Sequence, residues 1–400
     1  MQYNSLPAAP DDRLQLVDAL RGFSLAGIAI VHFMEQYLAG SAPESVGNFT
    51  QQNIADSVLE IVTQILIRGK FFALFSFLFG LSFSLQMDRT QARTGQDFSL
   101  RFAWRLTVLF AIGLLHQCFY RGDILTVFAL LGFPLLLFYR VSDRWIGALA
   151  VLLLLGVPRL IIQLSGISGM DLAPESIQHY WDTVKFGTFS EIAWLNSWDG
   201  FREKMEFQFG FFSRGYQSFG WFLLGLLAGR WRLFEMAESY RLLWRKLWRY
   251  GLFTFLGLIA VAALVFGVFG KQIPENWTNF IGSGFYDWAN IALTFFYIGA
   301  FPLLFLKPVW QRRLLVFAPY GRMALSNYVL QALIGTSFFF SFGLGLIGEY
   351  GNSVTLPLGL AVCVLQIWWS ARWLQHFQYG PLEWLWRSLT WFSWQPFRKK

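Results

Sequence analysis

RLQLVDALRGFSLAGIAIVHFMEQ, residues 13–36, decides how the rest of the chain is read. It is mostly apolar and long enough for one helical pass through a bilayer, yet it carries Asp18, Arg21, Ser24, His32, Glu35 and Gln36. At 100° per residue, Arg21 and His32 point within roughly 20° of each other, and all these polar side chains share one face roughly 120° wide. Ionisable groups in hydrocarbon are costly, so such a stripe is expected to line a bundle interior or a wet cavity. Snorkelling is the plainer account, with Asp18 and Arg21 reaching the inner surface and Glu35 and Gln36 the outer. It leaves His32 unexplained.

The surrounding composition fits a membrane setting. Of 400 residues, 55% are hydrophobic, 19% aromatic and only 14% charged, which excludes an ordinary soluble domain. With no long polar segment, residues 1–400 read as a single polytopic membrane domain. A window of about 19 residues finds ten candidate spans. They run 16–38, 70–88, 98–119, 122–140, 144–165, 207–229, 247–270, 285–307, 319–342 and 353–374. Between the first two, Ile54, Val58, Ile61, Val62, Ile65 and Leu66 fall at helical spacing while Asp56, Glu60 and Gln64 face away. That pattern predicts an amphipathic helix on the interface. The expected class is an all-α integral membrane protein with about ten transmembrane helices plus interfacial ones.

Charge placement sets the orientation. With the N-terminus inside, 22 of the 32 Lys and Arg fall on the cytoplasmic side and 9 outside, Arg21 lying within the first span. Both termini are therefore expected in the cytoplasm, with 375–400 a cytoplasmic tail. The net charge of +8 is then a topogenic signal and not a nucleic-acid footprint. A small-residue run, Leu38-Ala39-Gly40-Ser41-Ala42, follows the first span. No basic region precedes that span and it carries internal charges, so we read it as retained rather than as a leader. The longest connection, 165–206, lies outside, and Pro174-Glu175-Ser176 suits a helix start. Its Trp181, Trp194 and Trp198 fit either headgroup anchors or a lid.

Three stretches are expected to meet near the outer half of the membrane: His32 with Glu35, Lys70, and His116 with Arg121 and Asp123. Together they supply two bases, two carboxylates and two cations. Each has a structural use as well: Asp123 as a helix cap, Lys70 and Arg121 as snorkelling cations. No metal is expected, because the histidines lack H-x-x-x-H or H-x-x-E-H spacing and Cys118 and Cys363 stand alone in apolar surroundings. Neither a G-x-S-x-G elbow nor a P-loop is present. Asn327 and Gln331, one helical turn apart, suit hydrogen bonds to a neighbouring helix. No internal repeat is visible, which disfavours a transporter built from repeats.

The segments DALRGFSLAGIAIVHF (18–33), GKFFALFSFLFG (69–80), LLHQCFYRGDIL (114–125), GRMALSNYVLQ (321–331) and GPLEWLWR (380–387) resemble the signature segments of the YeiB-type family of bacterial polytopic membrane proteins. The match runs in order over nearly the whole chain and is loose over about 165–320. By resemblance, the recurrent polar positions are Asp18, Arg21, Lys70, His116, Gly122, Asp123, Arg322, Asn327, Gln331, Glu383 and Arg387. That family is similar in turn to transmembrane acyltransferases, some of which carry an Arg and a His separated by ten residues in the first helix, as Arg21 and His32 are here. YeiB-type chains usually have an amide at the place of His32, so His116 is the firmer base.

The resemblance implies acyl transfer in the bacterial inner membrane. The donor would be cytoplasmic acyl-coenzyme A, a substrate and not a resident cofactor, with Arg21 near the inner face pairing its phosphates. His32 or His116 would deprotonate an extracytoplasmic or lipid-linked saccharide acceptor, Glu35 or Asp123 orienting the imidazole and Asn327 or a backbone amide holding the oxyanion. Asp18, Lys70, Arg121 and Gln331 complete the expected binding set. A transporter or channel for a small polar or amphipathic solute would use the same stripe, and a scaffold would use 165–206 to capture a partner. Acceptor, acyl chain and oligomeric state stay open at this stage.

Overall fold

The computed structural model describes residues 14–40, 42–94, 98–166 and 173–399. Arg13, Ser41, Lys400 and part of the 165–206 connection lie outside the described residues. In chain order the helices begin with α1 (Gln15–Met34), α2 (Ile54–Leu66), α3 (Lys70–Thr94), α4 (Ser99–Gln117), α5 (Leu125–Phe138), α6 (Asp143–Leu154) and α7 (Val157–Ser165). The outer connection holds α8 (Pro174–Phe186), α9 (Phe189–Ser197) and α10 (Asp199–Phe209). Then come α11 (Arg214–Arg230), α12 (Arg241–Leu264), α13 (Glu275–Phe305), α14 (Pro308–Leu314) and α15 (Ala318–Arg322). The last are α16 (Ala324–Phe339), α17 (Asn352–His376) and α18 (Pro381–Trp391). Apart from short 3₁₀ and π turns and one isolated β-bridge, Phe377 to Arg398, the described regular structure is α-helical.

Among the described residues, six stretches are long and apolar enough to cross a membrane: Gln15–Met34, Ile54–Ala92, Ser99–Gln117, Arg241–Gln272, Trp277–Phe305 and Asn352–His376. The pair α6 and α7, bent by 52°, makes a seventh if taken as one span. This is a multi-pass membrane protein. The remaining expected spans fall on α5, α11 and α16, of 14, 17 and 16 residues. At 1.5 Å per residue these cover roughly 21–26 Å, less than the ~30 Å of a hydrocarbon core.

The quoted stretch is the axis of the bundle. Leu20, Leu25, Ala29 and Phe33 of α1 are fully buried, and α1 packs on α3, α15, α16 and α17. Lipid supplies no hydrophobic drive between helices, so close backbone approach has to do that work. A Cβ added to Gly321 would sit 2.0 Å from the Asp18 carbonyl oxygen, and one added to Gly80 would sit 1.9 Å from that of Phe222. Glycine at these positions is what lets α15 meet α1 and α3 meet α11. On the outside, Phe253, Leu256, Ile259 and Leu264 of α12 are exposed, as suits a lipid-facing helix.

α2 is amphipathic with its faces reversed relative to a helix in water. Ile54 is 85% exposed and Val58, Ile61 and Val62 are exposed with it, while Asp56 and Thr63 are buried against the protein. The polar face expected to point away from the apolar one is thus the packed face. Asn53 and Asp56 close a reciprocal cap, Asn53 Oδ1 accepting from Asp56 N at 2.9 Å and Asp56 Oδ2 accepting from Asn53 N at 3.1 Å. The other Asp56 oxygen accepts from the Ser353 N–H at 2.5 Å, which ties α2 to the start of α17.

α15 and α16 are one helix broken at Met323, where ψ turns to +33°. The break exposes the first N–H groups of α16, and Glu383 of α18 accepts from those of Leu325 (2.7 Å) and Ser326 (3.1 Å). α18 carries Pro381 in its first turn, where a missing N–H costs nothing. It is held to α4 by the Trp386 indole donating to the Arg105 carbonyl at 2.8 Å. The Arg105 guanidinium lies 3.6 Å over the Trp386 ring.

Candidate active site

His116 stands in the last turn of α4, and the turn 118–124 returns the chain into α5. Its Nδ1 lies 2.8 Å from Asp123 Oδ1, with both side chains essentially inaccessible. The same carboxylate accepts from the Leu125 N–H (3.1 Å), the Thr126 N–H (2.9 Å) and the Thr126 hydroxyl (2.8 Å). Lys204 Nζ stands 3.6 Å from Oδ2. Every neighbour of Asp123 is therefore a donor, so the imidazole donates from Nδ1, and the neutral ring carries its lone pair on Nε2. That Nε2 is buried and meets no hydrogen-bond partner. Asp123 both opens α5 and orients the ring, so the two uses weighed for it coexist.

His32 reaches the same place from α1. Its ring centroid is 5.0 Å from Tyr120 and 6.2 Å from Tyr328, and His116 lies 6.2 and 5.1 Å from the same two rings. The imidazoles thus share a pair of tyrosines, and His32 Nδ1 is also buried without a partner. The Tyr328 hydroxyl accepts from the Ile124 N–H at 3.2 Å, which fixes it beside the turn.

The other expected residues are engaged elsewhere. Glu35 pairs with Arg68 at 2.8 Å, and Arg68 also holds Glu60 at 3.1 Å, so Glu35 orients neither imidazole. Lys70 donates to the Gln64 carbonyl at 2.6 Å. Arg121 is ion-paired with Glu203 and lies 4.0 Å over the Tyr180 ring. Both cations answer nearby acceptors and not the histidine pair. Asn327 donates to Ser370 Oγ (2.8 Å) and the Tyr320 carbonyl (3.2 Å), and Gln331 Oε1 accepts from the Tyr320 hydroxyl (3.3 Å). These amides join α15, α16 and α17, so Asn327 is not placed for an oxyanion at His116. Arg21 is at the far end of α1, 2.8 Å from both Asp18 and Ser82 Oγ, with 23% of its side chain exposed. Between it and His32, the buried Leu25, Ile28 and Ala29 belong to the main apolar core.

Sequence reasoning missed Lys204, Gln117, Thr126, Tyr120 and Tyr328. Lys204 belongs to α10, inside what reads as an outer loop. It donates to Gln117 Oε1 and, at 2.7 Å, to the Thr126 hydroxyl. Burial pushes its ammonium down to about 8, with Asp123 pulling the other way. Tyr120 left one signal: it follows His116 by four residues, one helical turn.

A family model described as "Protein of unknown function (DUF418)" matches residues 228–393. The chain is 32% identical to "Uncharacterized protein YxaH" of Bacillus subtilis (strain 168), over 98% of each chain. It belongs to the YeiB-type DUF418 family. Within it, "Uncharacterized protein YeiB" of Escherichia coli (strain K12) is 28% identical over 95% of this chain and 96% of its own. A Bacillus acidopullulyticus protein described as "Uncharacterized 39.9 kDa protein in amylase 3'region" is 28% identical over 96% of this chain and 95% of its own. The DUF418 match covers α12 to α18, whereas the histidine–carboxylate pair lies before it.

Proposed function

We propose that this chain is an acyltransferase of the bacterial inner membrane, crossing it ten times with both termini in the cytoplasm. It takes an acetyl-like group from cytoplasmic acyl-coenzyme A and passes it to an extracytoplasmic or lipid-linked saccharide. One observation carries the reading: His116 is held by Asp123 through Nδ1 at 2.8 Å, and its buried Nε2 is unpartnered. A base needs an orienter on one nitrogen and an open lone pair on the other. Nε2 takes the hydroxyl proton of the acceptor as the oxygen adds to the thioester carbonyl. The tetrahedral adduct then expels coenzyme A, whose sulfur leaves with the proton from the imidazolium. His32 flanks the same tyrosines as a second acid–base group, and Arg21 with Asp18 serves the donor phosphates roughly 16 Å away along α1. The apolar packing between these ends requires α1 and its neighbours to part for the pantetheine arm.

The test is thiol release from acetyl-coenzyme A by the purified full chain in lipid vesicles, with glucose and N-acetylglucosamine as acceptors. Release that His116→Ala abolishes while the protein stays folded supports acyl transfer. Release unchanged in that variant, or solute movement into vesicles with no acetyl-coenzyme A consumed, overturns it.

A further inference from the structure

A second polar centre lies where the first turns of α3 and α11 face α13. It encloses a cavity of ≈ 20 Å³ whose lining includes Gly69, Arg214, Gln217, Ser218, Asp287 and Asn290, room for one water-sized occupant. Asn290 is 4% exposed, and neither its Oδ1 nor its Nδ2 has a hydrogen-bond partner. A buried amide with both ends idle is rare enough to imply that something fills the space beside it.

The electrostatics say what kind of occupant. Asp287 takes Arg159 at 2.5 Å, Arg214 at 2.9 Å and the Gln217 amide at 2.6 Å. Lys70 and Arg214 lie against one ring, Tyr286, at 5.8 and 5.4 Å. Two guanidinium groups on one carboxylate leave positive charge in excess. The starts of α3 and α11 add the positive ends of two helix dipoles. Gly69 adopts φ +82°, and a Cβ there would sit 2.8 Å from Asn290 Nδ2, so glycine is what lets α3 begin against the amide.

We propose that this cavity binds one small monovalent inorganic anion of the halide class, with Asn290 Nδ2 donating to it and Arg214 supplying charge. So small a cavity favours a halide over phosphate or sulfate, and the surplus cations disfavour a metal ion. The site is independent of the His116 centre and of the acyl-transfer reading.

The test uses the full chain in detergent, in gluconate buffer of fixed ionic strength into which chloride or bromide replaces gluconate. The thermal midpoint should rise along a saturable one-site curve with halide, and sulfate should give no such rise. Asn290→Leu should weaken the apparent halide affinity roughly ten- to a hundredfold, the worth of one hydrogen bond to a charged group. Chloride NMR line broadening by the wild-type protein, relieved by bromide, decides the matter should that variant not fold. Equal midpoints in gluconate and chloride, as a lone water in the cavity would give, overturn the proposal. So does an Asn290→Leu curve matching wild type, or broadening that bromide does not relieve.

Discussion

Asp123 and Asp287 are both buried, and both are ringed by donors at the same end of the bundle, yet their surroundings leave different things over. Asp123 is shared by an imidazole, the start of α5 and one lysine, and what remains unpaired beside it is a proton acceptor, His116 Nε2. Asp287 is neutralised by two guanidinium groups, and what remains beside it is an amide in a positively charged hollow. The first arrangement suits moving a proton, the second holding an ion. The difference comes from the counter-charge. A histidine partner still has a second nitrogen to use, while an arginine partner has none that accepts.

The sharpest way to break this contrast is to remove the centres in turn. His116→Ala and Asp123→Asn should each lower thiol release by about 10²–10⁴-fold, the usual worth of a positioned base, with the fold retained. Asp287→Ala should leave the buried Arg159 and the half-buried Arg214 without their carboxylate and cost about 3–5 kcal/mol of stability, read as a fall in the unfolding midpoint. If Asp287→Ala instead lowered release as much as Asp123→Asn without destabilising the chain, the division of labour would be wrong.

A pH series sharpens the Asp123 side. Lys204 loses its proton near pH 8, so release should decline above that value as Asp123 loses its cation. Stability should move the other way. The folded value lies below the ordinary 10.5, so between about 8 and 10.5 the unfolded chain binds more protons, and this group's contribution rises with pH. Lys204→Met should remove the alkaline decline. A midpoint that drops together with release would assign the decline to unfolding. The smallest effect sets a baseline away from both centres: Asn53→Ala, which deletes the cap of α2, should cost about 1 kcal/mol.

What the sequence discloses depends on how far apart the partners lie. His116 and Asp123 are separated by one tight turn, so their meeting is readable from local pattern. His32 joins them because one helix face carries it, and the apolar periodicity of 54–66 shows α2 directly. Lys204, by contrast, meets Gln117 across 87 residues of chain, and Asp287 meets Arg214 across 73. Periodicity encodes which face of a helix is polar but not which other helix answers it. That is also why Glu35 reads as a partner for histidine and turns out to face Arg68. Of the three helices of the outer connection, sequence reasoning found only the start at Pro174, because their packing is on one another, on α4 and on α11, which hydropathy does not encode.

Glu383 lies 57 residues after the Ser326 N–H that it caps. During synthesis the head of α16 therefore leaves the ribosome well ahead of the side chain that closes it. Until α18 arrives, the break at Met323 is open to water, headgroups or the insertion machinery. α18 thus acts as a latch that closes the head of α16 only after a further 57 residues have been made.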